Sequence, residues 1–257
     1  MLDLFSGIGG FSLAADWTGN IDTVAFCEID NFCQKILRKH WPDVPIYSDI
    51  KDLRGDEVGK VDIVSGGFPC QPFSCAGRKK GVRDERYLWP EMLRIIRAVR
   101  PGWVVGENVA GLLQDNNGKT IKTIKESLDN EDYETRIILL PASNYGASFE
   151  GKRLFIIAAA KGSRCTRWSV KNGVKQGGRM VQEEQRWHPA WGESERRIIH
   201  AIRHQKTLPR DLRGNYGLSN WVDRIRSLGN AVVPQQVYPI LKAITEIERM
   251  WGGDQDN

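Results

Sequence analysis

Leu154–Ala160 is an unbroken run of seven apolar residues, Leu-Phe-Ile-Ile-Ala-Ala-Ala. Such a run reads as a strand covered on both faces, which requires helices above and below its sheet. The chain before it supplies strands and helices in alternation. Met1–Phe5, Ile21–Cys27, Val61–Ser65, Trp103–Val105 and Arg136–Leu140 read as strands. Between them Gly9–Asp16 opens a helix, and Asn31–His40 and Lys119–Leu128 are helical. Tyr87–Arg100 repeats apolar residues at helical spacing through Leu88, Met92, Ile95, Ile96 and Val99. This alternation predicts an α/β fold with a doubly wound, mostly parallel sheet.

The pattern changes after residue 160. From Gly162 to Asn220 glycine, arginine and tryptophan abound and no periodicity is sustained, as in a small irregular domain. Helical spacing returns through Val237, Ile240, Leu241, Ile244, Ile247 and Trp251, with Pro234 near the helix start. A helix this apolar needs a partner surface, and the large sheet offers one. The expected organisation is therefore one domain built from 1–160 and 224–257, with 161–223 inserted into it. The length of 257 residues suffices for a large domain plus a small one.

Nothing at the start has the basic, then apolar, character of a secretion signal, and no apolar run approaches the ~20 residues that span a bilayer. The expectation is a soluble intracellular protein. Five cysteines are an odd number without zinc-type spacing, which fits reduced thiols. Net charge is only +5, but from Arg164 to Arg226 fourteen lysines and arginines stand beside six acids. That stretch suits a polyanionic partner, and equally an ordinary solvated surface.

Three segments carry chemistry. Asp3-Leu4-Phe5-Ser6-Gly7-Ile8-Gly9-Gly10-Phe11 is a strand, a glycine turn and a helix start, an arrangement that can cradle a nucleotide-like ligand or simply close a βα unit. It is not G-x-G-x-x-G, which argues against NAD. Glu28 ends the second strand, where an acid can accept ribose hydroxyls or cap the next helix. Cys70 lies in Gly66-Gly67-Phe68-Pro69-Cys70-Gln71-Pro72-Phe73-Ser74, delivered by a buried strand into a Gly/Pro-shaped loop. It is either an aimed nucleophile or a packed thiol.

Asp3–Phe11, Pro69-Cys70-Gln71, Glu107-Asn108-Val109 and Gly229-Asn230-Ala231-Val232-Val233-Pro234 occur in this order. Together they resemble the DNA (cytosine-5)-methyltransferase family of bacterial or phage type, over residues 1–160 and 224–250. The resemblance implies a Rossmann-like S-adenosylmethionine-dependent methyltransferase sheet with a small inserted target-recognition domain. Cys70 would be the nucleophile that attacks C6 of cytosine, Glu107 the acid at N3, and Arg153 the ligand of the cytosine carbonyl. For the cofactor, S-adenosylmethionine, Phe5 would stack on the adenine, Ser6, Gly7, Gly9 and Gly10 would approach the methionine portion, and Glu28 with Ile29 would take the ribose. Asp49 and Ile50 would meet the adenine, while Phe68, Asn230 and Val232 would close the pocket. No metal is implied.

The partner implied is double-stranded DNA, handled by a cytoplasmic monomer without a membrane. Gln71, Ser74, Arg78, Lys79, Lys80 and Arg83 would contact it, the basic loop Cys75–Arg86 acting as a lid. The inserted domain would read sequence, with Trp168, Trp187 and Trp191 forming a small core. One motif departs from the family pattern. Where Gln-x-Arg-x-Arg is usual, this chain has Phe149-Glu150-Gly151-Lys152-Arg153, which keeps only the second arginine and leaves Lys152 as an electrostatic substitute for the first. A tRNA-directed enzyme and a catalytically weakened DNA-binding protein are the competing expectations.

Overall fold

The structure is a computed structural model and describes residues 1–69, 87–145, 150–162 and 231–252. In chain order the elements are β1 (Leu2–Leu4), α1 (Gly10–Thr18), β2 (Ala25–Cys27), α2 (Asn31–His40), β3 (Ile46–Tyr47) and β4 (Ile63–Gly66). There follow α3 (Trp89–Val99), β5 (Trp103–Val109), α4 (Lys119–Asp129), β6 (Tyr133–Leu140), β7 (Arg153–Ala160) and α5 (Pro234–Gly252). The strands form one seven-stranded sheet in the order β3-β2-β1-β4-β5-β7-β6. The pairs from β3 through β5 are parallel, whereas β7 runs antiparallel to both its neighbours. The order reverses between β1 and β4, and ligands of open α/β sheets bind beyond the carboxyl ends of the strands at such a point.

Adjacent residues of the central strands point to opposite faces, and both faces are covered. Val64, Val104 and Ile156 pack in one layer with Met92, Ile95 and Ile96 of α3 and Ile124 and Leu128 of α4. Their neighbours Ile63, Val105 and Phe155 pack in the other layer with Phe11, Ala14 and Ala15 of α1 and Val237, Leu241 and Ile244 of α5. The Trp103 indole, in that second layer, also donates to Glu248 of α5 at 2.9 Å. Helices from the two ends of the described chain therefore share one face of the sheet. Among the described residues no helix is long and apolar enough to cross a membrane.

Several boundaries differ from the sequence reading, among them β6, which begins at Tyr133 and not at Arg136. β5 runs on to Val109, because Glu107, Asn108 and Val109 pair with Phe155, Leu154 and Arg153 of β7. Polarity ended the apolar pattern there, but the ladder did not stop with it. β2 is shorter than Ile21–Cys27, and the two-residue β3 gives no sequence signal of its own. The segment 161–223 of the expected inserted domain lies outside the described residues beyond Gly162.

Gly10 opens α1 directly beneath Val232. A Cβ at Gly10 would overlap the Val232 backbone carbonyl, whereas one at Gly111 would meet nothing within 4 Å. Gly10→Ala is expected to cost about 1–3 kcal/mol through overpacking against backbone that cannot yield. Gly111→Ala should leave stability unchanged. Thermal unfolding followed by circular dichroism distinguishes the two, and equal melting points would refute the contact.

Candidate functional site

The turn after β1 bends sharply. Phe5, Gly7 and Gly9 have φ of 51°, 55° and 87°. Gly9 needs glycine twice over, since a Cβ there would also lie 2.5 Å from the Trp41 ring. The Ser6 hydroxyl ties the turn back by donating to the Asp3 carbonyl at 2.6 Å. At the end of β2, the Glu28 carboxylate accepts from the Gly7 N–H and from the Asp30 N–H, each at 2.7 Å. Burial raises the Glu28 pKa, and these two N–H groups oppose the rise. Gln34 Nε2 donates to the Glu28 carbonyl at 2.6 Å and holds the strand end against α2.

Next to Glu28, Ile29 is 71% exposed although it is apolar. Phe5 packs at the edge of the core layer that contains Ile50. Asp49 Oδ1 accepts from the Lys51 N–H at 2.9 Å, and the Ile50 carbonyl accepts from Arg94. Phe5, Ser6, Gly7, Gly9, Gly10, Glu28 and Ile29 thus gather at the carboxyl ends of β1 and β2, with Asp49 and Ile50 after the neighbouring β3. Cys27, one residue from Glu28, is a packing residue: it is buried, and burial pushes its thiol pKa up to about 12.

A second group meets at the ends of β4 and β5. Arg153 Nε lies 3.0 Å from Glu107 Oε1. Because β7 is reversed, its first residue sits beside the last residues of β5. Burial pushes the Glu107 pKa up to about 7, against the pull of the Arg153 guanidinium. A Cβ on Gly67 would lie 3.3 Å from Glu107 Oε2 and 3.2 Å from Val232 Cγ2, so the chain leading to Pro69 passes directly against both. Asn108 Nδ2 donates to the Phe68 carbonyl at 2.9 Å and fixes that segment. The Phe68 ring packs on Trp89 with centroids 5.1 Å apart.

Cys70, Gln71, Ser74, Arg78, Lys79, Lys80, Arg83, Phe149 and Asn230 lie outside the described residues. Lys152 is paired with Glu150 at 2.6 Å, so its charge is already engaged at the surface. The sequence reading missed Asp3 and Asn108 as anchors. Asp3 is fully buried, and its carboxyl accepts from Ser12 at 3.0 Å and from Ser65 at 3.1 Å, joining β1 to α1 and β4. The available signal was an acid between two leucines inside an apolar strand.

A seven-stranded sheet with one reversed strand, a glycine turn at the switch in strand order and an acid ending β2 define a Rossmann-like methyltransferase fold. The profile of C-5 cytosine-specific DNA methylases matches residues 1–213, and the chain belongs to that family. Among its relatives, the type II methyltransferase M1.ScrFI of Lactococcus lactis subsp. cremoris is 39% identical over 158 residues, 61% of this chain and 40% of that protein. The type II methyltransferase M.HhaI of Haemophilus parahaemolyticus is 33% identical over 157 residues, 61% of this chain and 47% of that protein. The matched chain thus spans less than half the length of these relatives. A crystal structure of a DNMT2 mutant of Spodoptera frugiperda aligns with a TM-score of 0.54 over 63% of this chain and 50% of its own, at 22% identity, a likeness of fold alone.

Asp3 and Glu107 both hold their protons more tightly when folded, at about 7 against ordinary carboxyl values of 3.8 and 4.5. The stability they contribute is fully present below those lower values and is lost as pH rises through about 7. Asp3→Asn removes one of the two titrations. The wild-type melting point should fall by several degrees between about pH 5 and pH 8, and the variant's by less. Parallel curves in a pH series of thermal melts would show that Asp3 does not titrate in this range.

Proposed function

We propose that this chain transfers a methyl group from S-adenosylmethionine to C5 of a cytosine flipped out of double-stranded DNA. The observation that carries the reading is the meeting of Glu107, Arg153 at 3.0 Å, and Gly67 in one buried corner. Gly67 opens the run Phe68-Pro69-Cys70, and Asn108 grips the Phe68 carbonyl. Consecutive Cα atoms are about 3.8 Å apart, and Cys70 stands only two residues after Phe68, whose carbonyl is held by the neighbour of Glu107.

The cradle at the ends of β1 and β2 fits the cofactor. Each Glu28 carboxylate oxygen accepts one backbone N–H, which leaves lone pairs for the two hydroxyls of a ribose. Exposed Ile29 offers an apolar ledge beside it. Val232, closing over Gly10 and Gly67, walls the cradle on the side of Glu107. Bound there, S-adenosylmethionine supplies an electrophilic methyl group.

C5 of cytosine is a weak nucleophile until C6 is attacked. In the proposed reaction the Cys70 thiolate bonds to C6, and Glu107 donates a proton to N3, where charge develops. Arg153 orients the Glu107 carboxyl and reaches the cytosine carbonyl. As C5 takes the methyl, the methyl–sulfur bond would break and leave S-adenosylhomocysteine. The C5 proton then passes to solvent as the Cys70–C6 bond breaks, and N3 returns its proton to Glu107, which restores the thiolate, the acid and the aromatic ring. A cytosine inside a duplex is unreachable, so the base must leave the stack. The segment 161–223, rich in arginine and lysine, is proposed to grip and read the DNA.

Transfer of labelled methyl to duplex DNA, with tRNA as the competing acceptor, tests the proposal. The wild-type chain should label DNA. Cys70→Ser should abolish transfer and retain cofactor binding, and Glu107→Gln should lose about 10²–10⁴-fold. Turnover should fall as pH rises past about 7, where Glu107 gives up its proton. Label entering only tRNA, or DNA binding without transfer, would overturn the reading.

A further inference from the structure

Resting on the reading above, we infer that Gln236 is a positioning residue that holds Arg153 against Glu107 by bolting the start of α5 to the chain entering β7. Gln236 is fully buried in the first turn of α5. Its side-chain Nε2 donates to the Leu140 carbonyl at 2.7 Å and to the Gly151 carbonyl at 3.1 Å. Leu140 and Arg153 are register partners at the open end of the β6–β7 ladder. Beyond that pair the ladder ends, and Gly151, with φ of 43°, turns the chain into β7. The Ala142 N–H helps by donating to the Glu150 carbonyl at 2.7 Å. The same N–H also reaches the Gly151 carbonyl at 3.3 Å, and the Gln236 bond to Gly151 adds a tie from outside this hairpin, from α5.

The same short segment touches the rest of the site. Val232 closes over Gly10 of the glycine turn and over Gly67 ahead of Cys70. Residues 232–236 therefore contact the cofactor side, the nucleophile strand and the arm that carries Arg153. Packing alone does not account for the amide. Val237 and Leu241 beside it on α5 are buried apolar residues, and a hydrocarbon at 236 would be cheaper to bury. Gln236 Oε1 has no hydrogen-bond partner among the described residues, so only the two bonds from Nε2 offset its burial.

Gln236→Met keeps the volume and removes both donors. In the full chain, kcat for methyl transfer should drop about ten- to hundredfold, with KM for S-adenosylmethionine nearly unchanged. An Arg153 freed from its anchor no longer holds the Glu107 pKa down, so the alkaline limb of the pH profile should move upward. Titration of ¹³C-labelled glutamate by NMR reads the same shift in the Glu107 carboxyl without any turnover. Gln236→Asn, which keeps the amide but shortens its reach, replaces the Met variant if that protein does not fold, and should shift Glu107 in the same direction. An unshifted Glu107 titration, or an unchanged kcat in an active protein, would overturn the role of Gln236. A wild-type chain inactive on DNA whose Glu107 still shifts in the variant would instead overturn the proposed reaction and leave the positioning intact.

Discussion

The sheet is buried on both faces, and every other feature of the site follows from that constraint. A central strand such as Val104-Val105 spends both side-chain directions on the two helical layers. Polar groups in such a strand survive only if they are paired, as Asp3 is with Ser12 and Ser65. Elsewhere they collect where the strands end and the layers open. Glu28 and Glu107 both stand at such ends, and both have raised pKa values because the layers still bury them.

The two carboxyls nevertheless differ in their surroundings. Glu28 is held by backbone N–H groups of the glycine turn and of the α2 start, which favour its charged form. Glu107 is paired, among the described residues, with the Arg153 cation, and burial surrounds it. One therefore suits a fixed acceptor of hydroxyls, the other an acid that gains and loses a proton near neutrality. The contrast arises from which backbone passes nearby, not from the residue type.

Much of this was legible in the sequence. The apolar run Leu154–Ala160 and the helical spacing of Tyr87–Arg100 identify buried elements because periodicity records burial directly. The glycine turn, Glu28 and Glu-Asn-Val at 107–109 lie at strand ends, where short polar motifs stand out against apolar flanks. The extension of β5 to Val109 was not legible, since pairing with β7 sustains a strand through residues that carry no apolar signal. Nor was the pairing of Lys152 with Glu150, which depends on a local turn around Gly151. The anchors Asp3, Asn108 and Gln236 escaped for a related reason: each acts through backbone carbonyls or buried hydroxyls far away in sequence, and no spacing rule marks such partners.

The reversed strand β7 has a consequence for how the site could change over time. Parallel strands bring their last residues to the ligand edge, while β7 brings its first. Register therefore puts Arg153 on the same face as Glu107, through its pairing opposite Val109. A slip of one residue in that ladder would turn Arg153 to the opposite face and point an apolar neighbour at the acid. An insertion or deletion inside the strand is therefore a switch between two faces, with no intermediate setting.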